Sequence, residues 1–526
     1  MLNALSASSP PAALAAQEEP GGIEDAINRV FEPISTFTND IVFAEIPLFG
    51  ARMPWIVAWL VVAAASFTIY FGFIQFRGLR MSVDLIRGKY SRPDDPGEVT
   101  HFQALSAALS GTVGLGNIAG VAVAVTIGGP GATLWMILCG VLGMATKFLE
   151  CTLGVKYRDV HPDGSVSGGP MQYLRKGLPA RLGGGGVVLG RILAGAAAVM
   201  ILLFGIAGGN MFQSNQTFAQ LQEVTGGEDG FLGGDGAALI VGAILAAVVG
   251  LVIMGGIKSI GRVAGRLVPT MTIIYVAACL IVIGANLSAV PGAIGEIVGG
   301  AFAPEGVAGG AVGALIVGFQ RAVFSNEAGV GSAPIAHSAV KTRHPATEGL
   351  VALMEPFIDT VVICTMTALT IVIASTPSWE AARAAVAEGG GTPAGVTLTS
   401  DAFETVLPWF PVVLTIAVAL FAFSTILTWA YYGEKAWGYL FGRGRMTTMV
   451  YKAIVCVFVV LGAVLAVDSV ISFTDAVLFV LAFFNILGLY FLAPVAKKEL
   501  ARFRRKVATG ELTRTERDPD PVRATE

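Results

Sequence analysis

Two stretches, Ser110-Gly111-Thr112-Val113-Gly114-Leu115-Gly116-Asn117 and Ser325-Asn326-Glu327-Ala328-Gly329-Val330-Gly331, interrupt long apolar segments with glycines and polar side chains. A helix broken at membrane depth leaves backbone N–H and C=O groups without partners, and hydrocarbon tolerates that only where those groups line a cavity and hold a ligand. Glycines also serve close helix packing, which is the reading for Gly195, Gly205 and Gly242. A packing seam, however, has no use for the carboxylate of Glu327. The paired breaks predict the substrate and ion site of a secondary transporter.

The rest of the chain fits that reading. Of 526 residues, 54% are hydrophobic and 13% charged, and the mean hydropathy is +0.71, far too apolar for a water-soluble globular protein of this size. Eleven apolar runs long enough to cross a bilayer begin near Pro54, Phe102, Gly131, Ile192, Ala237, Leu267, Gly309, Gly349, Val406, Val450 and Phe473. The net charge of −3 says little, but alternate loops divide sharply: one set carries 29 of the 34 Lys and Arg, and the other holds Arg29, Arg52 and Arg383. The positive-inside rule then sets the N-terminus outside and the C-terminus in the cytoplasm, as an odd number of spans requires.

Cys139, Cys151, Cys279, Cys364 and Cys456 lie in apolar segments with no C-x-x-C spacing, and read as small hydrophobes. Residues 1–20 lack the basic start of a signal peptide, although Ala13–Ala16 resembles a cleavage site; a disordered external tail is expected. Ile23, Ile27, Val30, Phe31, Ile34 and Phe37 recur at helical spacing, as in an amphipathic helix on the outer surface.

The expected organisation is an all-α polytopic membrane protein: an external tail over 1–53, an extra span over 54–76, five-helix repeats over 102–288 and 309–494, and a cytoplasmic tail over 495–526. Five is odd, so the second repeat crosses in the opposite sense to the first. Each repeat then opens on a broken helix.

Half-helix N-termini suit a carboxylate, and freed carbonyls suit a small cation, so a zwitterionic amino acid with Na⁺ fits both needs. Ser424, Thr425 and Thr428 lie within one helical turn and can complete a hard-cation shell with carbonyls near Ser110 and Val113, unless they merely bond back to their own helix. Asn210 and Gln213 are candidates for a substrate amine or carboxylate, with interhelical bonding as the rival role. Trp429 and Phe324 are candidates to gate or floor a pocket. Intramembrane charges are costly and therefore informative. Arg321 and Glu327 are expected to interact across the unwound turn or to act as separate gate elements. Glu355 and Asp359, spaced i, i+4, are expected to share a face and pair with Arg321 or with cytoplasmic bases. Lys147 and Glu150 are expected to snorkel or pair structurally.

Gly111-Thr-Val-Gly-Leu-Gly-Asn117-Ile-Ala-Gly120, Gly168-Gly-Pro-Met171, Gly209-Asn-Met211, Ser325-Asn-Glu-Ala-Gly329 and Tyr431-Tyr-Gly-Glu-Lys435 are together similar to the motifs of the alanine or glycine:cation symporters, the bacterial sodium:alanine symporter family. The resemblance runs from about Pro54 to the end of the last span. It implies one extra N-terminal helix plus the 5+5 inverted repeat of the leucine transporter. It further implies a sodium site at Ser110, Val113, Ser424, Thr425 and Thr428, and a substrate site at Thr112, Gly116, Asn117, Gly208, Gln213, Phe319, Val323, Asn326 and Trp429. Its substrates are small neutral amino acids, L-alanine and glycine first and D-alanine or serine beyond them. Glycine-lined walls, which leave room only for a small side chain, agree.

The expected function is Na⁺-driven import of such an amino acid by alternating access, in the plasma membrane of a bacterium (the inner membrane in a Gram-negative one), without cofactor, nucleic acid or catalysis. Proton coupling is the alternative; the hydroxyl cluster offers no titratable group, though Glu327 does. An intramembrane enzyme would need a nucleophile with a base or a metal cluster, and His101, His161, His337 and His344 fall near helix ends or loops. A channel would need a filter-like segment.

Overall fold

The computed structural model describes residues 23–48, 51–92, 94–162, 164–234, 236–254, 256–303, 310–389 and 395–512. The expected tail before Ile23, with its cleavage-like Ala13–Ala16, and the end of the C-terminal tail lie outside the described residues.

Helix α1, Ile23–Val42, packs along the last helix of the chain and leaves Ile34, Phe37 and Ile41 exposed. A hairpin of β1, Glu45–Leu48, and β2, Ala51–Pro54, leads into α2, Trp55–Tyr70. The expected span from Pro54 to Phe76 ends early. At Gly72 (φ 62°) and Phe73 (φ 55°) the backbone turns left-handed, and α3, Ile74–Ile86, leaves at 72° to α2. One residue here is not glycine, so the elbow carries a strain of about 1 kcal/mol or more.

The first predicted break separates α4, His101–Thr112, from α5, Gly116–Ile127, which bends by 55°. A capping box of Thr100 and Gln103 starts α4. Then follow α6, Ala132–Lys156; a short hairpin of β3, Asp159–Val160, with β4, Val166–Ser167; and α7, Pro170–Leu182. Next, α8, Gly184–Leu203, and α9, Gly209–Val224, join through a π turn over Phe204–Gly208. α10, Ala237–Ile253, α11, Gly256–Ala285, and α12, Val290–Gly300, complete this half.

The second break separates α13, Gly310–Asn326, from α14, Ala333–His337. α15, Pro345–Ala374, contains a π segment over Phe357–Cys364. α16, Pro377–Ala387, and α17, Gly395–Glu404, precede three long helices: α18, Phe410–Phe441, α19, Arg445–Val464, and α20, Val467–Ala508.

Each of the eleven apolar runs has a helix over it. By length and hydropathy, seven helices among the described residues are able to cross a membrane, nine if each bent pair is one span. α10 and α13, each 17 residues long, fall short of that measure. Two groups of helices pack among themselves: α6 against α13, α14 and α15, and α9 against α18 and α19, with α10 on α19. α4 bridges them by packing on α18. The segment before α4 and the segment after α14 are stitched together. Lys341 N–H donates to Val99 O (2.8 Å), Glu98 N–H to Ala339 O (2.7 Å), and the Arg158 guanidinium donates to the carbonyls of Pro96, Ser338, Val340 and Thr342 at 2.6–2.9 Å.

Candidate functional site

Thr112 is the last helical residue of α4, because Val113 turns extended (ψ 92°). The freed backbone is met by side chains. Gly114 N–H donates to Asn117 Oδ1 (2.9 Å), and Leu115 N–H to Gln213 Oε1 (3.3 Å) from α9. Gly114 lies against α18: a Cβ there would stand 2.5 Å from Thr425 Oγ1. Only glycine permits that approach.

α18 crosses the end of α4 with its hydroxyls turned inward. Thr425 Oγ1 donates to Ser110 O (3.1 Å), Ser110 Oγ donates to Ser424 O (3.0 Å), and Thr428 Oγ1 also donates to Ser424 O (3.2 Å). Ser424 Oγ bonds back to Phe421 O (3.0 Å). Ser110, Val113, Ser424, Thr425 and Thr428 are all buried. Oxygen donors of this hardness, carbonyl and hydroxyl without a carboxylate, suit a monovalent hard cation. Among the described residues no group of three His, Cys, Asp or Glu is arranged to hold a metal.

At the second break, Asn326 Oδ1 accepts from Ala328 N–H (2.9 Å) and ends α13. Glu327 then takes a left-handed φ of 54°, followed by Gly329 (φ 95°) and Gly331 (φ 85°). The Glu327 carboxylate is buried, accepting from Trp429 Nε1 (2.9 Å) and from the Ser332 hydroxyl. Trp429 also meets Phe204 (4.1 Å between centroids) and Tyr432, so it closes one wall beside the π turn that ends at Gly208. Phe319 and Val323 are buried on α13; Val323 O accepts from Glu327 N–H (2.8 Å).

The two breaks meet through Asn117 and Asp359. Asn117 Nδ2 donates to Asp359 Oδ1 (2.6 Å) and to Ser325 Oγ (3.0 Å), while Ser325 Oγ (2.9 Å) and Thr360 Oγ1 (2.7 Å) donate to Asp359 Oδ2. Asn326 Nδ2 reaches Thr360 Oγ1 (2.9 Å). Gly116 sits beneath Ser325, where a Cβ would be 3.3 Å from its Cα. Thr112 bonds back to Ala108 O (3.4 Å), within its own helix.

Among the described residues Arg321 forms neither of its expected pairings, with Glu327 or with Glu355 and Asp359, whereas Lys147 does pair structurally. Arg321 pairs with Asp475 on α20 and lies 5.3 Å over the Phe324 ring, not against Glu327, whose side chain is turned to Trp429 and Ser332. Glu355 and Asp359 take different partners: Asp359, within the π segment that begins at Phe357, turns to Asn117 and Ser325. Glu355 instead takes Lys147 (2.9 Å), which is wholly buried and does not snorkel. His337 stands between Glu355 (3.5 Å) and Glu348 (2.6 Å), and Glu348 also contacts His101, so both histidines are buried in a chain of charge below the second break. Asn485, on α20, holds the break from behind by donating to Gly329 O (2.8 Å) and Glu150 Oε1 (2.6 Å).

Sequence reading missed Asp475, Asn485 and the Glu348 cluster. Asp475 had a signal, an acid inside the last apolar run. It also missed the cap: Thr399 Oγ1 on α17 donates to Ile118 O (3.1 Å), and a Cβ at Gly395 would lie 2.1 Å from Ala119 O, so α17 is seated on α5.

A helical membrane bundle with two broken helices facing each other, one buried hydroxyl–carbonyl cluster beside the first break and a capping helix over it, defines a transporter of the leucine-transporter fold. The crystal structure of MhsT in complex with L-phenylalanine shares that fold, with a TM-score of 0.51 at 16% identity, over 77% of this chain and 98% of MhsT. The chain belongs to the sodium:alanine symporter family, which residues 38–517 match. It is 37% identical to the sodium/alanine symporter AgcS of Methanococcus maripaludis over 453 residues, 86% of this chain and 94% of that protein. It is 36% identical to the putative sodium/proton-dependent alanine carrier protein YrbD of Bacillus subtilis (85% and 88%), and 32% to the probable sodium/glutamine symporter GlnT of that organism (92% and 93%).

Proposed function

We propose that the chain imports a small neutral amino acid, alanine or glycine first, together with Na⁺ moving down its gradient. The observation that carries this is the contact of the Thr425 hydroxyl with the Ser110 carbonyl at the broken end of α4. A cation entering there takes the place of that hydrogen bond: the Thr425 and Thr428 O–H groups keep their protons and rotate them away, so that their lone pairs join the Ser110 and Val113 carbonyls and the Ser424 oxygens. Proton coupling is less well supported, because that cluster has no titratable group. Glu327 is held by Trp429 and Ser332 and acts in this reading as a gate element, as do Arg321 with Asp475, and Glu355 with Lys147. Asp359 joins the breaks.

The substrate sits between the breaks, bounded by Thr112, Gly116, Asn117, Gly208, Gln213, Phe319, Val323, Asn326 and Trp429. Crowding at Gly114 and Gly116 favours a small side chain. The repeats are 102–288 and 309–494, the chain enters the membrane with its N-terminus outside, and it performs transport without catalysis or cofactor.

Uptake of radiolabelled L-alanine into proteoliposomes, under inward Na⁺, K⁺ or proton gradients imposed separately, tests this. Accumulation driven by Na⁺ alone and competed by glycine or serine is expected. Accumulation driven by protons without Na⁺ would replace the coupling ion, and competition by glutamine in preference to alanine would replace the substrate.

A further inference from the structure

Where α2 ends and α20 leaves the bundle there is a cleft of about 430 Å³, lined by Ile69, Tyr70, Arg77, Lys497 and Arg504 together with the Gly72 elbow. Three of these residues are cationic. Among the described residues none of the three has a carboxylate within ion-pair distance, and the one acid of this stretch of α20, Glu499, is taken by Lys156 (2.7 Å) and Arg502 (3.4 Å). The Arg77 and Arg504 side chains line the same cleft. Lys497 is held in place: its Nζ donates to Tyr70 O (3.0 Å) and stands 4.2 Å from the Tyr70 ring centroid. The N-terminus of α3, at Ile74, adds its partial positive charge to the same place. Three exposed cations gathered in one cleft attract an anion.

An apolar wall beside the cleft identifies that anion. Ile69 lines the cleft, and Phe73 and Phe76 follow at the elbow beside it; they are 68%, 52% and 66% exposed. A soluble anion has no use for such a wall, whereas a phospholipid lays its acyl chains against it. Tyrosine at the rim and basic residues beyond it are also the order in which a helix leaves hydrocarbon for the headgroup layer. No residue of the candidate transport site lines this cleft.

We propose that the cleft between the Tyr70–Arg77 elbow and the Lys497–Arg504 turn binds the phosphate of an anionic phospholipid, its acyl chains lying on Ile69, Phe73 and Phe76. The lipid bridges α3, which packs on the helix bearing Glu348 and Glu355, to α20, which carries Asn485. It thereby ties two elements that hold the second break.

Native mass spectrometry of the purified full chain tests this, with dioleoylphosphatidylglycerol, dioleoylphosphatidylcholine or glycerol 3-phosphate added. Preferential retention of the phosphatidylglycerol is expected, and Arg77→Gln/Arg504→Gln should weaken it by about tenfold or more. Arg502→Gln, on the same helix but engaged with Glu499, should leave it unchanged. Should the double variant fail to fold, Lys497→Gln is read by the same criterion. Equal retention of phosphatidylcholine, or undiminished phosphatidylglycerol in the variants, would overturn the site. Displacement of the lipid by millimolar glycerol 3-phosphate would reassign it to a soluble phosphate.

Discussion

The Thr425 hydroxyl reaches the Ser110 carbonyl across a glycine at 114, and the ion reading depends on that contact. With a Cβ at position 114, 2.5 Å from Thr425 Oγ1, the threonine must rotate or α18 must retreat from the Ser110 carbonyl. Gly114→Ala is therefore expected to raise the Na⁺ concentration for half-maximal uptake by about tenfold, which is roughly 1.4 kcal/mol. Thr425→Ala should do the same without crowding. Gln213→Ala removes the acceptor of Leu115 N–H and should alter competition among amino acids more than the Na⁺ requirement. Uptake titrated in Na⁺ and in competitor separates the two; equal loss of both, in folded protein, would end the division of roles. Asp359 accepts from three side-chain donors, so Asp359→Asn turns an N–H₂ toward at least one of them. A melting curve in detergent should record a loss of roughly 1–3 kcal/mol, the cost of a buried polar group left unpaired.

At the level of elements, buried charge couples helices that the sequence shows only one at a time. Lys147 on α6 and Glu355 on α15 have no access to water, so removing Lys147 leaves Glu355, among the described residues, only its longer contact to His337 (3.5 Å) in the interior. Lys147→Met is expected to cost about 3–5 kcal/mol, and the double change Lys147→Met/Glu355→Gln to recover part of it. Thermal melts of the two variants decide this, and a double variant no more stable than the single one would mean that His337 is the partner that matters. Both breaks were legible because glycine and polar residues in a long apolar run have little other physical purpose; of the three hydroxyls picked out by their spacing, Thr425 reaches across to Ser110 O, while Ser424 and Thr428 bond back to their own helix. The π turns were not legible. Nothing in Phe357–Cys364 announces a wider turn, or that Asp359 turns to Asn117 and Ser325 while Glu355 turns to Lys147. The elbow after Tyr70 was likewise hidden, since Phe73 is not a residue that advertises a left-handed φ. Partner choice for Arg321 depended on a helix more than 150 residues away.

For the whole molecule, the two packed groups of helices and the bridging α4 set what transport requires. In the proposed transport cycle α6 moves with α13, α14 and α15, on which it packs, while α9 stays with α18 and α19, so the α4–α18 contact is the one remade as the groups rock. On the proposed function, a cation at that contact stabilises one arrangement of the groups, and an amino acid bound between the breaks joins α4, α5 and α13 and stabilises closure around it. Each ligand then changes the other's affinity, and linkage demands the same factor in both directions. Equilibrium binding of labelled alanine in Na⁺ against K⁺, and of Na⁺ with and without alanine, should give equal factors of about 5–150. In Thr425→Ala both factors should collapse toward one together, because the residue acts on the shared arrangement and not on either ligand alone. A variant in which alanine still tightens with Na⁺ while the cluster at Ser110 is broken would place the coupling ion elsewhere, with the Asn117–Ser325–Asp359 junction as the next group of oxygens between the two breaks.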